Sequence, residues 1–337
     1  MKKMLLLATG GTIASVPMES GVAPSFDAER LLSFVTEQIK NSCQIYAQAI
    51  LNVDSVNMNP QLVLEIAQTI FDNYHDFDGF VITHGTDSMA YTAALLTYTL
   101  QNLQKPVVLT GSQVPMGALH TDAIKNLADA IKFATEDIAG VFVVFDGKLI
   151  NGTRANKFKT RSKNAFRSVN YPYVAEVRSG KIAYNQQVLG SLTGDRTKTP
   201  ELKKSLCTNI LLLKLYPGMN VTIFNYLKTV YKGIILESFG AGAVPCEDDR
   251  FNVAAKISEL WDAGTIVVLT TQCFEDGVHL GEYKVGKALC KNKLILAQDM
   301  STEALVAKLM WALGNLDSNY AIKKFMEAPV FGDITAP

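Results

Sequence analysis

Short apolar runs alternate with longer segments of helical period through the first half of the chain. Lys2–Ala8, Ile45–Val53, Gly79–Thr83, Pro106–Leu109 and Val141–Phe145 read as strands. Asp27–Lys40 carries apolar residues at Leu31, Leu32, Phe34, Val35 and Ile39, the spacing of one helix face. A second helix opens at Asn59–Pro60, with Asn59 as N-cap and Pro60 in the first helical position. Thr86–Asp87 caps a third helix running to about Leu103, and Thr121–Asp122 starts a fourth that ends near Ala134. This alternation predicts an α/β fold whose first domain is a doubly wound, mainly parallel sheet covered on both faces.

The character changes between Val188 and Thr208, where Gly190–Pro200 is small and polar. Such a stretch predicts an interdomain linker. It divides the chain into a larger N-terminal α/β domain over 1–187, a linker over 188–208 and a smaller C-terminal α/β domain over 209–337. In the second domain, strands fit Ile210–Leu215, Gly233–Glu237, Thr265–Thr270 and Lys293–Leu296; helices fit Asn220–Tyr231, Phe251–Ala263 and Thr302–Leu313.

Composition supports two packed domains. The chain has 337 residues, 48% of them hydrophobic and 19% charged, the balance of a folded protein and not of a disordered one. Thirty-two basic residues offset 32 acidic ones, which argues against nucleic acid or an anionic membrane as partner. The apolar stretch after Lys2–Lys3 stops at Thr9–Gly10–Gly11, short of the roughly 7–15 residues of a signal-peptide core. The 5 cysteines are scattered, with no C-x-x-C pair, so reduced thiols and a cytoplasmic location are expected. The 4 histidines lack metal-ligand spacing; no metal and no cofactor is expected. Gly281–Ala288 approaches a phosphate-binding loop but ends in Ala288, where Ser or Thr would hold magnesium.

Ligands of doubly wound sheets bind beyond the C-terminal strand ends. Three such ends share one character here: Thr9–Ser15, Thr83–Ser88 and Thr110–Gln113 each set glycine beside hydroxyl residues. Glycine lets the backbone approach a ligand, and hydroxyls serve as nucleophiles for acyl transfer when a base takes their proton. The same residues also make ordinary turns and helix caps, so the pattern alone leaves both readings open.

The motifs Thr9–Ser15 (TGGTIAS), His84–Ala93 (HGTDSMAYTA) and Leu109–Pro115 (LTGSQVP) closely resemble those of the bacterial-type L-asparaginases, amidohydrolases with a threonine nucleophile. The resemblance continues through Asp54–Met58, Arg154–Lys157 and Glu237–Gly242, and points to the cytoplasmic, type I branch. It implies Thr12 as nucleophile on a mobile loop, with Thr86, Asp87 and Lys157 as its catalytic partners. Gly11, Asp54, Ser55, Gly85, Thr86, Asp87 and Ser112 would line the site for L-asparagine, with Asp87 on the α-ammonium and Ser55 on the α-carboxylate. The family forms homo-oligomers, so a dimer or tetramer is implied. His84 is a tempting base, but the resemblance assigns it no chemical role.

Three positions depart from the family pattern. Many relatives carry a tyrosine on the mobile loop; the matching position here is Val22, and no tyrosine lies between Thr12 and Tyr46. Asn156 stands where threonine is more common, and Ala243 where some relatives have asparagine. Two other functions fit the same motifs: the asparaginase-like subunit of a tRNA-dependent amidotransferase, and a non-catalytic amino-acid sensor.

Overall fold

The computed structural model describes residues 1–18, 21–24, 28–34, 42–188, 190, 197–280, 289 and 293–335. The second half of the expected helix over 27–40, the phosphate-loop-like stretch 281–288 and Cys290 lie outside them. The chain divides into two compact units, Met1–Lys204 and Ser205–Pro337.

In the first unit the apolar runs become strands in chain order. They are β1 (Lys2–Gly10), β2 (Cys43–Val53), β3 (Gly79–Thr83), β4 (Pro106–Thr110) and β5 (Gly140–Phe145). The helices between them are α1 (Ala28–Ser33), α2 (Pro60–Asp72), α3 (Met89–Thr99) and α4 (Ala123–Ala134). Asn59 caps α2 as its sequence predicts, its Oδ1 accepting from Leu62 N at 3.1 Å. The five strands run parallel in the spatial order β2-β1-β3-β4-β5. Both β3 and β4 are buried along their full length, as strands covered on two faces must be. One layer of the core joins Met4, Leu6 and Val108 of the sheet to Leu127 and Ile131 of α4.

Val141–Phe145 does not close the sheet. Three short antiparallel strands extend it to 8: β6 (Lys148–Asn151), β7 (Ala175–Arg178) and β8 (Lys181–Tyr184). Each has four residues, too few for a clear period in the sequence.

The order β2-β1-β3 means that successive strands are added on opposite sides of β1. The chain reverses direction across the sheet there, and the topological switch point lies between β1 and β3. Thr9–Thr12 leaves the end of β1 and Thr83–Asp87 leaves the end of β3, so both motif loops open at the switch point.

The second unit is built on a parallel four-stranded sheet: β9 (Ile210–Lys214), β10 (Gly233–Ser238), β11 (Ile266–Thr271) and β12 (Ile295–Leu296). Alternate residues feed cores on its two faces. Ile234, Leu236, Val267 and Leu269 pack on one, with α5 (Ile223–Val230) and α6 (Val253–Asp262). Ile235, Ile266 and Val268 pack on the other, with α7 (Thr302–Asn315) and α8 (Asn319–Glu327).

Candidate active site

The four parallel strand ends close on one another through glycines. A Cβ at Gly10 would stand 2.6 Å from Val53 N at the end of β2, and one at Gly11 would stand 2.3 Å from Gly85 N beyond β3. A Cβ at Gly85 would meet Ser55 Oγ at 2.5 Å, and one at Gly111, after β4, would meet His84 O at 2.4 Å. These are closer than non-bonded atoms approach, so each contact is backbone-on-neighbour with no room for a side chain. Gly10 and Gly11 also have φ of +100° and +79°, which favours glycine independently. Thr9 Oγ1 adds a 2.8 Å bond to Thr83 O across the same gap.

Thr12 follows directly, at the start of a single turn Thr12–Ala14, and is half-buried. Its hydroxyl makes no hydrogen bond among the described residues. Beyond it, Ser15–Met18 pairs antiparallel with Gly21–Pro24, which sets Val22 opposite Pro17.

Thr86 and Asp87 do not cap α3. That helix begins at Met89, and no side chain caps it at Ser88. Lys157 recruits both groups instead: its Nζ donates to Thr86 Oγ1 at 2.7 Å and to Asp87 Oδ1 at 2.7 Å. Lys157 reaches them from a short hairpin in which Ala155–Lys157 pairs with Phe166–Ser168. Behind that hairpin Arg154 is fully buried, its guanidinium lying over the Tyr171 ring. Thr86 is buried, while the Asp87 carboxylate is 56% exposed and open to a ligand.

Ser55 is buried beneath Asp87, and its Oγ accepts from Asp87 N at 3.2 Å. Its carbonyl takes a 2.6 Å bond from Ser88 Oγ. Asp54 stands at the exposed rim, capping the Ser55–Asn57 turn by accepting from Val56 N at 3.2 Å. Ser112 is fully buried, and its Oγ has no partner among the described residues.

Three further residues belong to this assembly in roles the sequence does not assign: it places Gln113 in a strand-end motif, Asp122 at a helix start and His84 only as a tempting base. Gln113 accepts from Thr86 Oγ1 at 3.3 Å and donates to Ser162 O at 3.3 Å, joining the Thr86 turn to the segment that carries Lys157. Asp122 does not cap α4 with its side chain. Its carboxylate is buried and accepts from Gln113 N at 3.0 Å and Val114 N at 2.9 Å, which clamps that loop. His84 is fully buried, with Nδ1 2.7 Å from Gly85 O and Nε2 3.0 Å from Thr92 Oγ1. Burial pushes its pKa down to about 4, with the Gly85 carbonyl opposing that shift. A neutral ring bonded on both sides, it is no general base.

A buried hydroxyl, a lysine and an accessible carboxylate, gathered at the switch point of a doubly wound sheet, form the equipment of an acyl-transfer hydrolase. The comparisons with known proteins agree. Residues 3–189 match the asparaginase N-terminal family model, and residues 209–326 the glutaminase/asparaginase C-terminal domain. An L-asparaginase of Thermococcus kodakarensis is 36% identical over 334 residues, covering 99% of both chains. The solved structure of the thermostable enzyme from that organism superposes with a TM-score of 0.92 at 35% identity, covering 99% of this chain and 100% of that one. One component of the glutamyl-tRNA(Gln) amidotransferase of Pyrococcus furiosus is 36% identical over 98% of this chain and 76% of its own length. The chain belongs to the asparaginase family.

Proposed function

We propose that the protein hydrolyses L-asparagine to L-aspartate and ammonia through an ester on Thr12. The observation that carries this reading is the double contact of Lys157 Nζ, 2.7 Å from both Thr86 Oγ1 and Asp87 Oδ1, beside the turn that bears Thr12. In this reading Asp87 receives the substrate α-ammonium and Ser55 its α-carboxylate. Gly11 and Gly85 let the backbone reach the side-chain amide, Ser112 offers its hydroxyl to it, and Asp54 closes the rim.

Thr12 Oγ1 then attacks the amide carbon, and the carbonyl electrons move onto oxygen. Backbone N–H groups beside Thr12 and Thr86 receive that oxyanion. The Thr12 proton passes by way of the Thr86 hydroxyl, which Lys157 orients, to the leaving nitrogen; the C–N bond breaks and ammonia departs. Water next adds to the β-aspartyl ester, releasing aspartate and restoring the Thr12 hydroxyl.

Ammonia release from L-asparagine, and separately from L-glutamine, tests the proposal, with Thr12→Ala as control. The similarity to an amidotransferase component carries a second reading, an ammonia donor for a partner enzyme. Rapid turnover of free asparagine by the isolated chain favours the first; activity only with a partner favours the second. Binding without any ammonia would leave a sensor. A homo-oligomer (dimer or tetramer) in the cytoplasm completes the reading, and sedimentation measures the former.

A further inference from the structure

His84 occupies a place that the catalytic cluster does not explain. Its backbone is wedged where glycine is obligatory on both sides: a Cβ at Gly111 would lie 2.4 Å from His84 O, and one at Gly11 would lie 2.9 Å from His84 C. His84 N also remains bonded to Thr110 O at 2.8 Å. The main chain up to His84 is therefore fixed by the sheet, and the next peptide is the first that can rotate. That peptide links Gly85 to Thr86.

Its carbonyl lies 2.7 Å from His84 Nδ1. A carbonyl only accepts, so Nδ1 carries the hydrogen. The neutral ring then leaves Nε2 as an acceptor, and Thr92 Oγ1, 3.0 Å away on α3, donates to it. The Gly85 carbonyl thus fixes the tautomer, the Thr92 hydroxyl completes it by donating to the other nitrogen, and the ring so held restrains the peptide. In a trans peptide the C=O and N–H point to opposite sides. With Gly85 O turned onto the buried imidazole, the Thr86 N–H points away from it. That N–H has no acceptor among the described residues, although Thr86 is buried. An orphan donor of this kind beside the Thr12 turn is suited to a charge that exists only during reaction.

We infer that His84 is a positioning residue that locks the Gly85–Thr86 peptide, so that the Thr86 N–H is held ready for the substrate oxyanion. The inference rests on the reaction proposed above, but its first test does not. In protein labelled with ¹⁵N-histidine at pH 7, the His84 signal, assigned by its loss in His84→Asn, is expected to show hydrogen on Nδ1 and none on Nε2. The opposite tautomer, or an imidazolium, overturns the inference whether or not ammonia is released.

The second test is kinetic. His84→Phe fills the space without a donor and is expected to lower kcat at least about tenfold, with KM changed less than about twofold. His84→Asn places an amide nitrogen where Nδ1 stood and is expected to recover kcat to within about fivefold of the parent. A parent-like kcat in His84→Phe overturns the inference, as does a folded His84→Asn no better than His84→Phe. If the Phe variant does not fold, the Asn variant and the tautomer decide. Absence of ammonia from the parent protein would instead defeat the reaction and leave the tautomer standing.

Discussion

Lys157 Nζ sits 2.7 Å from Thr86 Oγ1, although the two are 71 residues apart in sequence and the lysine comes from a hairpin outside the parallel sheet. With Asp87 Oδ1 equally close, one cation sets the spacing of a hydroxyl and a carboxylate. Lys157→Met should lower kcat by about 10³-fold or more while far-UV circular dichroism is unchanged. Lys157→Arg should not restore activity, because a planar guanidinium cannot replace a compact ammonium between these two oxygens. Parent-like turnover in either variant would remove Lys157 from the mechanism.

The backbone contact of Gly11 with Gly85 makes a different prediction. In Gly11→Ala the new methyl would meet Gly85 Cα at 2.4 Å, at a φ of +79°. The two strand ends must separate, at a cost of about 1–3 kcal/mol, and the Thr12 turn moves with them. Both a lower urea midpoint and a loss of activity are expected. Unchanged activity would mean that the turn relaxes without displacing Thr12.

Asp122 clamps the Gln113 loop by accepting from two backbone N–H groups, and Asn126 Nδ2 donates to it at 3.2 Å. In Asp122→Asn the amide can satisfy only one of those two donors, leaving the other N–H facing a donor. A destabilisation of about 1–3 kcal/mol is expected, together with a fall in kcat as Gln113 loses its grip on Thr86. Chemical denaturation and ammonia release, measured on one preparation, check both.

His84 links stability to pH. Its ring titrates near 4 when folded and near 6.5 when free, because burial disfavours the charged form. Between these values the unfolded chain binds the proton first, so stability falls as pH drops from 6.5 and levels off below 4. The gap corresponds to roughly 3 kcal/mol. His84→Asn should therefore flatten the acid limb of a denaturation series. A parallel slope in parent and variant would show that other groups govern acid lability.

In the second unit Lys308 and Asp333 form an ion pair at 2.8 Å, both side chains fully buried. Lys308 also donates to Ala328 O at 2.7 Å, and Asp333 Oδ1 accepts from Val330 N at 2.7 Å, which ties the end of the described chain to α7. Lys308→Met should cost about 3–5 kcal/mol by stranding a buried carboxylate. The double variant Lys308→Met, Asp333→Leu should recover much of that loss. A single variant no less stable than the double would contradict the pairing.

Most of the parallel strands are legible in the sequence as continuous apolar runs, and the switch-point loops because glycine stands beside hydroxyls at the ends of β1, β3 and β4. The strands within residues 148–184 are not legible as sheet: they are short, and each becomes a strand only by pairing with the one before it, β6 on β5, β7 on β6 and β8 on β7. Asp87 and Asp122 read as helix caps for a physical reason. A carboxylate before a helix is the same residue whether it faces its own first turn or a distant lysine or loop, and only the fold decides. Gln113 and Thr92 lie within recognisable motifs, but nothing local states their roles, which arise from contacts 27 and 8 residues away.

Gly11 rests directly on the Gly85 backbone and Gly85 on the Ser55 side chain, so the floor of this site is packed around two glycines with no room for a Cβ on either. Enlarging either glycine must displace the Gly85 backbone or the Ser55 side chain, so substitution there disturbs binding and chemistry together. The rim differs: Asp54 and Val56 are exposed and held only by a short turn. Divergence in this scaffold therefore has a direction. New substrate ranges are open to change at the rim, while the chemistry at the centre is inherited whole or lost.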